Sequence, residues 1–248
     1  MVSECHELLS FPNVKRDIIE RRLAKLELLG YNGCRDLGDY TVGGLNVLGR
    51  GHSSVVFAAE FRGLDLAAVK VLRTDSKRDS LINECSLMKR AYPIAPKVHF
   101  CDDEFIVMEL IRGVRLGELV NRVTRCEDLM LLCVRVLAAS RYLDVKGVTH
   151  KELNILKKHV IIDELQRIRI VDFESGFTGF SCNVCRVFSS LIMRNHHIWG
   201  CCDLRQSSME TLLKLLRTYK ENNSANAFVD LIRALSAICQ HNSCKCVD

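Results

Sequence analysis

Residues 45–72 read Leu45-Asn-Val-Leu-Gly-Arg-Gly-His-Ser-Ser-Val-Val-Phe-Ala-Ala-Glu-Phe-Arg-Gly-Leu-Asp-Leu-Ala-Ala-Val-Lys-Val-Leu72. The stretch holds three β-like runs, Leu45–Leu48, Val55–Ala59 and Leu66–Leu72, parted by Gly49-Arg50-Gly51 and by Arg62-Gly63-Leu64-Asp65. Short apolar runs with glycine-bearing breaks predict an antiparallel meander. The first break lies between two strands, which excludes the dinucleotide fingerprint and the P-loop, because both of those open a helix. Gly49 and Gly51 let a backbone lie close over phosphates and offer N–H donors, although Gly-rich hairpins are also common as plain turns. Lys70 sits inside the last apolar run, where an ammonium is costly to bury without a partner. Residues 79–91 look helical and offer Glu84. A Lys–Glu pair of this kind positions an ammonium on nucleotide phosphates; the competing reading is an edge-strand lysine that snorkels to solvent.

Working outward, residues 14–30 carry apolar positions at Ile18, Ile19, Leu23, Leu26 and Leu29, with Gly30 as a stop, and predict a helix. Residues 31–44 read as turns. Two more β-like runs, Lys97–Phe100 and Glu104–Met108, follow the 79–91 helix. Helical patterns occupy 114–122 and 127–145, a small hairpin uses Val160–Ile162 and Ile168–Val171, and the chain from about 183 onward reads as helix. The order predicts an α+β fold of two lobes. The divisions are an N-terminal helical extension over 1–44, an N-lobe of antiparallel sheet plus one helix over 45–108, a hinge at 109–113, and a helical C-lobe over 114–248.

Composition narrows the function classes. The longest apolar run, Leu129–Val134, is far short of a membrane span. Glu4, His6 and Glu7 stand where a secretory signal needs its charged-then-apolar order, so a cytoplasmic protein without a membrane partner is expected. The net charge of +5 is mild, and the densest basic stretch, Lys15–Lys25, is interrupted by Asp17 and Glu20. It reads as a solvated helix face rather than a nucleic-acid surface. The 13 cysteines are odd in number, so an intrachain disulfide framework does not use them all. Reduced thiols acting as small buried hydrophobes are the default expectation. Cys182, Cys185, His196, His197, Cys201 and Cys202 raise a zinc site, but there is no second CxxC to complete it.

Two further motifs carry chemistry. One is Val148-Thr149-His150-Lys151-Glu152-Leu153-Asn154; the other is Ile168-Arg169-Ile170-Val171-Asp172-Phe173-Glu174-Ser175-Gly176. An Asp ending an apolar strand suits a metal ion at a pocket. A carboxylate 20 residues earlier, in a polar loop, suits proton acceptance from a hydroxyl.

Gly-rich hairpin, strand Lys, helix Glu, loop His-x-Glu and strand-end Asp-Phe appear in that order between about Leu45 and Gly176. In this the sequence resembles the protein-kinase superfamily. The stretches Arg73-Thr74-Asp75-Ser76, Met108-Glu109-Leu110-Ile111-Arg112-Gly113 and Lys158-His159-Val160-Ile161-Ile162 make it most similar to small archaeal predicted serine/threonine protein kinases. The resemblance implies ATP held between two lobes by Gly49, Gly51, Ser54 and Val56, with Met108 at the back of the pocket and Glu109 and Leu110 lending hinge backbone. It implies Lys70, held by Glu84, on the phosphates; Asp172 on Mg²⁺ or Mn²⁺; and Glu152 as the base for a Ser or Thr hydroxyl of a protein substrate. Replacing Lys70 with Ala is then expected to weaken ATP handling and leave the fold intact.

The sequence departs from the superfamily pattern in several places. Ser54 replaces the third glycine, Glu152 replaces the catalytic Asp, and Glu174 replaces the Gly after Asp172-Phe173. The second metal ligand, an Asn five residues after the base, falls on Lys157 by direct count and on His159 if two residues are inserted; lipopolysaccharide-type kinases are similar in carrying His there. Asn154 is the competing oxygen donor. Only 76 residues follow Asp172, and no Pro occurs after Pro96, so the Ala-Pro-Glu motif is missing and a reduced helical C-lobe is expected. These departures keep open a pseudokinase that binds nucleotide or a partner without chemistry. A nucleic-acid module built on the 14–30 helix is disfavoured by its short length.

Overall fold

The structure is a computed structural model that describes residues 4–195, 197, 198, 202 and 206–240. The chain forms two compact units, one of residues 1–89 and 96–110, the other of residues 90–95 and 111–248. No helix among the described residues is long and apolar enough to cross a membrane.

The first unit contains α1 (Glu4–Glu7), a 3-10 turn (Leu8–Ser10), α2 (Arg16–Leu28), β1 (Tyr31–Arg35), β2 (Tyr40–Val42), β3 (Leu45–Val47), β4 (Gly49–Arg50), β5 (Ser54–Phe61), β6 (Leu64–Leu72), α3 (Ile82–Ala91), β7 (Val98–Cys101) and β8 (Phe105–Glu109). The sheet runs β1-β5-β6-β8-β7, with β4 paired to β5. All pairings are antiparallel. Three expectations change here. The run at Leu45 does not begin the meander: β3 pairs with β2 through a turn at Gly43 and Gly44, both at positive φ, and the glycine-rich hairpin is built by β4 and β5. Residues 31–35, read as turn, form an edge strand on β5 whose register shifts beside Gly33. And α3 starts at Ile82, whose N–H bonds the Ser80 hydroxyl at 3.1 Å, so Glu84 lies in the first turn of the helix.

Side-chain alternation gives the sheet two different faces. Val55, Phe57, Ala59 and Phe61 of β5, Ala67, Val69 and Val71 of β6, and Phe105 and Val107 of β8 share one buried cluster with Leu8, Leu9 and Leu26. The intervening residues form the other face. Directly opposed in register there are Gly49, Val56, Lys70 and Ile106, and one step along them Ala68 and Met108.

Helix α2 is fastened by charge. Arg21, Arg22 and Lys25 all donate to the Glu104 carboxylate, at 2.6–3.1 Å. Burial pushes the Glu104 pKa up, but the hydrogen bonds from Lys25 and Arg22 outweigh it and hold the carboxyl below its ordinary value. Arg22 is itself buried. Glu104→Gln is therefore expected to cost about 2–3 kcal/mol at neutral pH. A depressed carboxylate contributes fully above its unfolded pKa of about 4.3 and loses that contribution as pH falls through its lower folded value. Denaturant unfolding at pH 7 and pH 3 checks the sign: the gap between wild type and variant must shrink at the acid end.

The second unit contains β9 (Gly113–Arg115), α4 (Leu116–Leu119), α5 (Cys126–Val145), β10 (Val148–Thr149), α6 (Leu156–His159), β11 (Val160–Asp163), β12 (Ile168–Ile170), β13 (Phe177–Thr178), α7 (Asn183–Phe188) running into a π-turn (Ser189–Met193), α8 (Gln206–Asn222) and α9 (Ala225–Gln240). The expected hairpin is the β11–β12 part of a three-stranded sheet, β12-β11-β9. Gly113 permits the third strand: a Cβ there would lie 2.1 Å from the Ile162 carbonyl oxygen. Helix α5 buries Leu129, Met130, Leu132, Cys133, Val136 and Leu137, in the spacing of a core helix.

The expectation of reduced thiols is corrected. Cys5–Cys34, Cys85–Cys101 and Cys182–Cys185 are disulfides, and Cys126 is disulfide-bonded too. The reading of cysteine as a small buried hydrophobe stands for Cys133 and Cys202, both of which are buried. The zinc reading loses two ligands to the Cys182–Cys185 bond. His197 directs Nε2 to the Val123 carbonyl at 2.8 Å, and His196 and Cys201 lie outside the described residues.

Candidate functional site

The residues singled out from sequence fall into two sets, one in each unit. In the first unit, Lys70 is 3% exposed and Glu84 1%. Their ion pair closes at 2.7 Å, Nζ to Oε1. Strand β6 lies between β5 and β8, so Lys70 has no route to solvent along a sheet edge, and the snorkelling alternative is excluded. Such a pair is worth forming only where its geometry is good, because both charges are desolvated.

The glycine-rich turn joins β4 to β5. Gly51 N–H donates to the Ser54 carbonyl at 2.8 Å. From the far end of β6, Arg73 N–H donates to the Ser53 carbonyl at 2.8 Å and Arg73 Nη1 to the Gly51 carbonyl at 2.8 Å. Gly49, Val56 and Lys70 are opposed in register, and Ser54 falls on the same face two residues before Val56. Met108 shares that face, opposite Ala68. The Glu109 N–H is already bonded to the Lys97 carbonyl at 2.8 Å, and its carboxylate accepts from Lys97 N–H at 3.0 Å. A ligand hydrogen bond at Glu109 would therefore use its carbonyl. Leu110 follows the last residue of β8. Sequence reading quotes Arg73 within a motif but gives it no role, because its contacts to the turn lie 20 or more residues away, and it gives no signal for Ser53, whose buried hydroxyl has no partner among the described residues.

In the second unit, Glu152, His159 and Asp172 come together, each offering one ligand atom within 4.8 Å of the others. His159 Nε2 lies 3.2 Å from a Glu152 carboxylate oxygen and Nδ1 lies 3.7 Å from one of Asp172. His159 is buried at the end of α6, whereas the two carboxylates are about two-fifths exposed. Val171 N–H donates to the His159 carbonyl at 2.9 Å, which fixes the strand end that carries Asp172. Asp172 itself stands at φ 67°, the left-handed region that Asp tolerates better than most residues. Asn154 is exposed, and its carbonyl accepts the Ser190 hydroxyl at 2.9 Å. Two carboxylates and an imidazole make a mixed hard and borderline donor set, compatible with Mg²⁺ and better suited to Mn²⁺.

The loop that carries Glu152 is held from behind by a buried network that sequence reading did not find. Asn183 accepts the His150 N–H at 2.9 Å and donates through Nδ2 to Asp144 and to the Val148 carbonyl. Asp144 also accepts the Tyr219 hydroxyl at 2.8 Å. Burial raises the Asp144 pKa against these hydrogen bonds. His150 packs edge-on to Phe173, 5.0 Å between ring centroids, and sets Nε2 against the Val171 carbonyl. Burial pushes its pKa down to about 4, so the ring is neutral near pH 7. His150, Asn183 and Phe173 thus tie the loop before Glu152 to the segment after Asp172. The signal for this in sequence was weak, since Asn183 and Tyr219 look like ordinary helix residues.

Comparison with known proteins gives one match and one blank. The family model described as protein tyrosine and serine/threonine kinase matches residues 43–177, more than half of the chain. No curated protein matches the chain.

Proposed function

Because the chain belongs to the protein tyrosine and serine/threonine kinase family, whose α+β fold it shares, we propose that it transfers the γ-phosphoryl group of ATP to a Ser or Thr hydroxyl of a protein. The observation that carries this reading is the buried Lys70–Glu84 pair on the same sheet face as Gly49 and Val56. An ammonium held at a fixed point beside a glycine-rich turn suits the α and β phosphates of a nucleotide. In the second unit, Asp172 and His159 would hold a divalent cation. That ion, when bound, neutralises phosphate charge. Glu152 would orient the acceptor hydroxyl and take its proton, and the neutral His150 ring together with Asn183 would keep its loop in place. The catalytic effect is mainly positioning and charge complementarity.

A second reading, nucleotide or partner binding without chemistry, is favoured by one feature: the Glu152 carboxylate already has His159 Nε2 at 3.2 Å. Transfer of radiolabelled phosphate from ATP, with Mg²⁺ and with Mn²⁺, decides between them. Under the first reading Glu152→Gln lowers turnover about 10²- to 10³-fold and leaves nucleotide affinity near wild type. Nucleotide binding by the wild type with no transfer to any acceptor supports the second reading, and no nucleotide binding at all overturns the first reading and leaves of the second only partner binding.

A further inference from the structure

The family match begins at residue 43, so it assigns nothing to the segment before it. That segment is nevertheless docked. Leu8, Leu9 and Ser10 are buried, and Arg22 ties the Leu9 carbonyl at 2.6 Å and the Leu72 carbonyl at 2.8 Å to one guanidinium nitrogen. Thr74 N–H donates to the Phe11 carbonyl at 2.9 Å. The Phe11 ring is then gripped by two cations: the Arg73 guanidinium carbon lies 5.0 Å from its centroid and that of Arg50 5.3 Å. Both arginines belong to the glycine-rich turn's frame. Arg50 is the last residue of β4, and Arg73 donates to the carbonyls of Gly51 and Ser53. Asp75 completes the frame, accepting from Arg73 at 2.7 and 2.8 Å.

We propose that Phe11 is a positioning residue for the nucleotide site, a clamp through which the N-terminal segment sets the conformation of the Gly49–Ser54 turn. The register places the clamp on the correct side. Arg50 is opposed to Val55, a residue of the apolar cluster, and Phe11 packs against that cluster. Gly49, Val56 and Lys70 occupy the opposite face. The turn is held from behind, on the face away from Lys70. A glycine-rich turn free to move must be ordered when a nucleotide binds, at a cost in conformational entropy. A turn ordered beforehand avoids that cost, so the clamp acts on nucleotide affinity and leaves the transfer step alone. This role for Phe11 rests on the nucleotide reading of the turn.

The test compares Phe11→Leu, which keeps apolar packing and removes the π face, with Phe11→Tyr, which keeps both. Two quantities are read: amide hydrogen exchange of residues 49–54 without nucleotide, and the KM and kcat for ATP. Phe11→Leu is expected to speed exchange in the turn and to raise KM about fivefold, with kcat held and with Phe11→Tyr retaining wild-type behaviour. A merely structural role lowers stability and moves neither KM nor turn exchange selectively. Unchanged exchange in Phe11→Leu overturns the clamp itself. Faster exchange with an unmoved KM also overturns the proposal, but through the nucleotide reading of the turn. If Phe11→Leu fails to fold, Arg73→Gln carries the same test, since it removes one cation and the Gly51 bond and leaves Phe11 in place.

Discussion

Lys70→Met is expected to lose turnover by about 10²- to 10³-fold and, in the same protein, about 3–5 kcal/mol of stability. The first effect follows from the nucleotide reading, in which the ammonium is a fixed donor to phosphate. The second follows from burial. Glu84 is 1% exposed and meets Lys70 at 2.7 Å, so removing the lysine strands a carboxylate away from water. The sequence reading, a lysine in an apolar strand paired with Glu84, expects Lys70→Ala to spare the fold; the burial of both partners makes a loss of stability the expected result instead. The two effects separate in a double variant. Lys70→Met with Glu84→Leu replaces the pair by apolar side chains, a change that is often neutral or stabilising. Its thermal midpoint should return toward wild type while phosphate transfer stays lost. If the double variant regains both stability and turnover, the pair is structural and the nucleotide reading fails. If Lys70→Met alone keeps full turnover, the same conclusion holds.

This part of the molecule was legible because it breaks a pattern. A lysine inside Leu66–Leu72 is conspicuous in an otherwise apolar run, and period-two alternation then sorts Val56 and Lys70 from Val55, Val69 and Val71 without any coordinates. The β1 strand was hidden because Gly33 interrupts its alternation and shifts its register against β5. The disulfides were hidden because pairing is decided by tertiary proximity: Cys5 and Cys34 are 29 residues apart. Asn183 and Tyr219 were passed over, and Arg73 was quoted without a role, for a related reason. Each is unremarkable in its own element and acquires a role only through a partner far along the chain, as when Tyr219 reaches Asp144 across 75 positions. Glu152 and Asp172 were named from motif order. The structure adds that His159 stands between them, a relation that no local spacing rule contains because the α6 turn sets it.

That relation sharpens the second large effect. Asp172→Asn is expected to lower turnover about 10²- to 10³-fold with little change in stability, for two reasons. The carboxylate is about two-fifths exposed where that of Glu84 is 1% exposed, so its charge is far less desolvated than that of the buried pair. Asn also tolerates the left-handed backbone at φ 67°, so the substitution tests charge without adding strain; Ala would confound the two. His159→Asn acts differently. It exchanges an imidazole for a hard amide oxygen, so metal preference should move from Mn²⁺ toward Mg²⁺, whereas the wild type should work at least as well with Mn²⁺ as with Mg²⁺. The same substitution removes the ring that meets the Glu152 carboxylate at 3.2 Å, which frees that group for an acceptor hydroxyl. Asn154→Ala is the control, because Asn154 is exposed and its carbonyl, which Ala retains, is what bonds Ser190. Turnover of all three variants is measured across both metals at saturating ATP. A His159 variant with unaltered metal dependence, beside a crippled Asn154 variant, would move the second metal ligand from His159 to Asn154. An Asp172→Asn protein with full turnover would remove the metal from this end of β12 altogether.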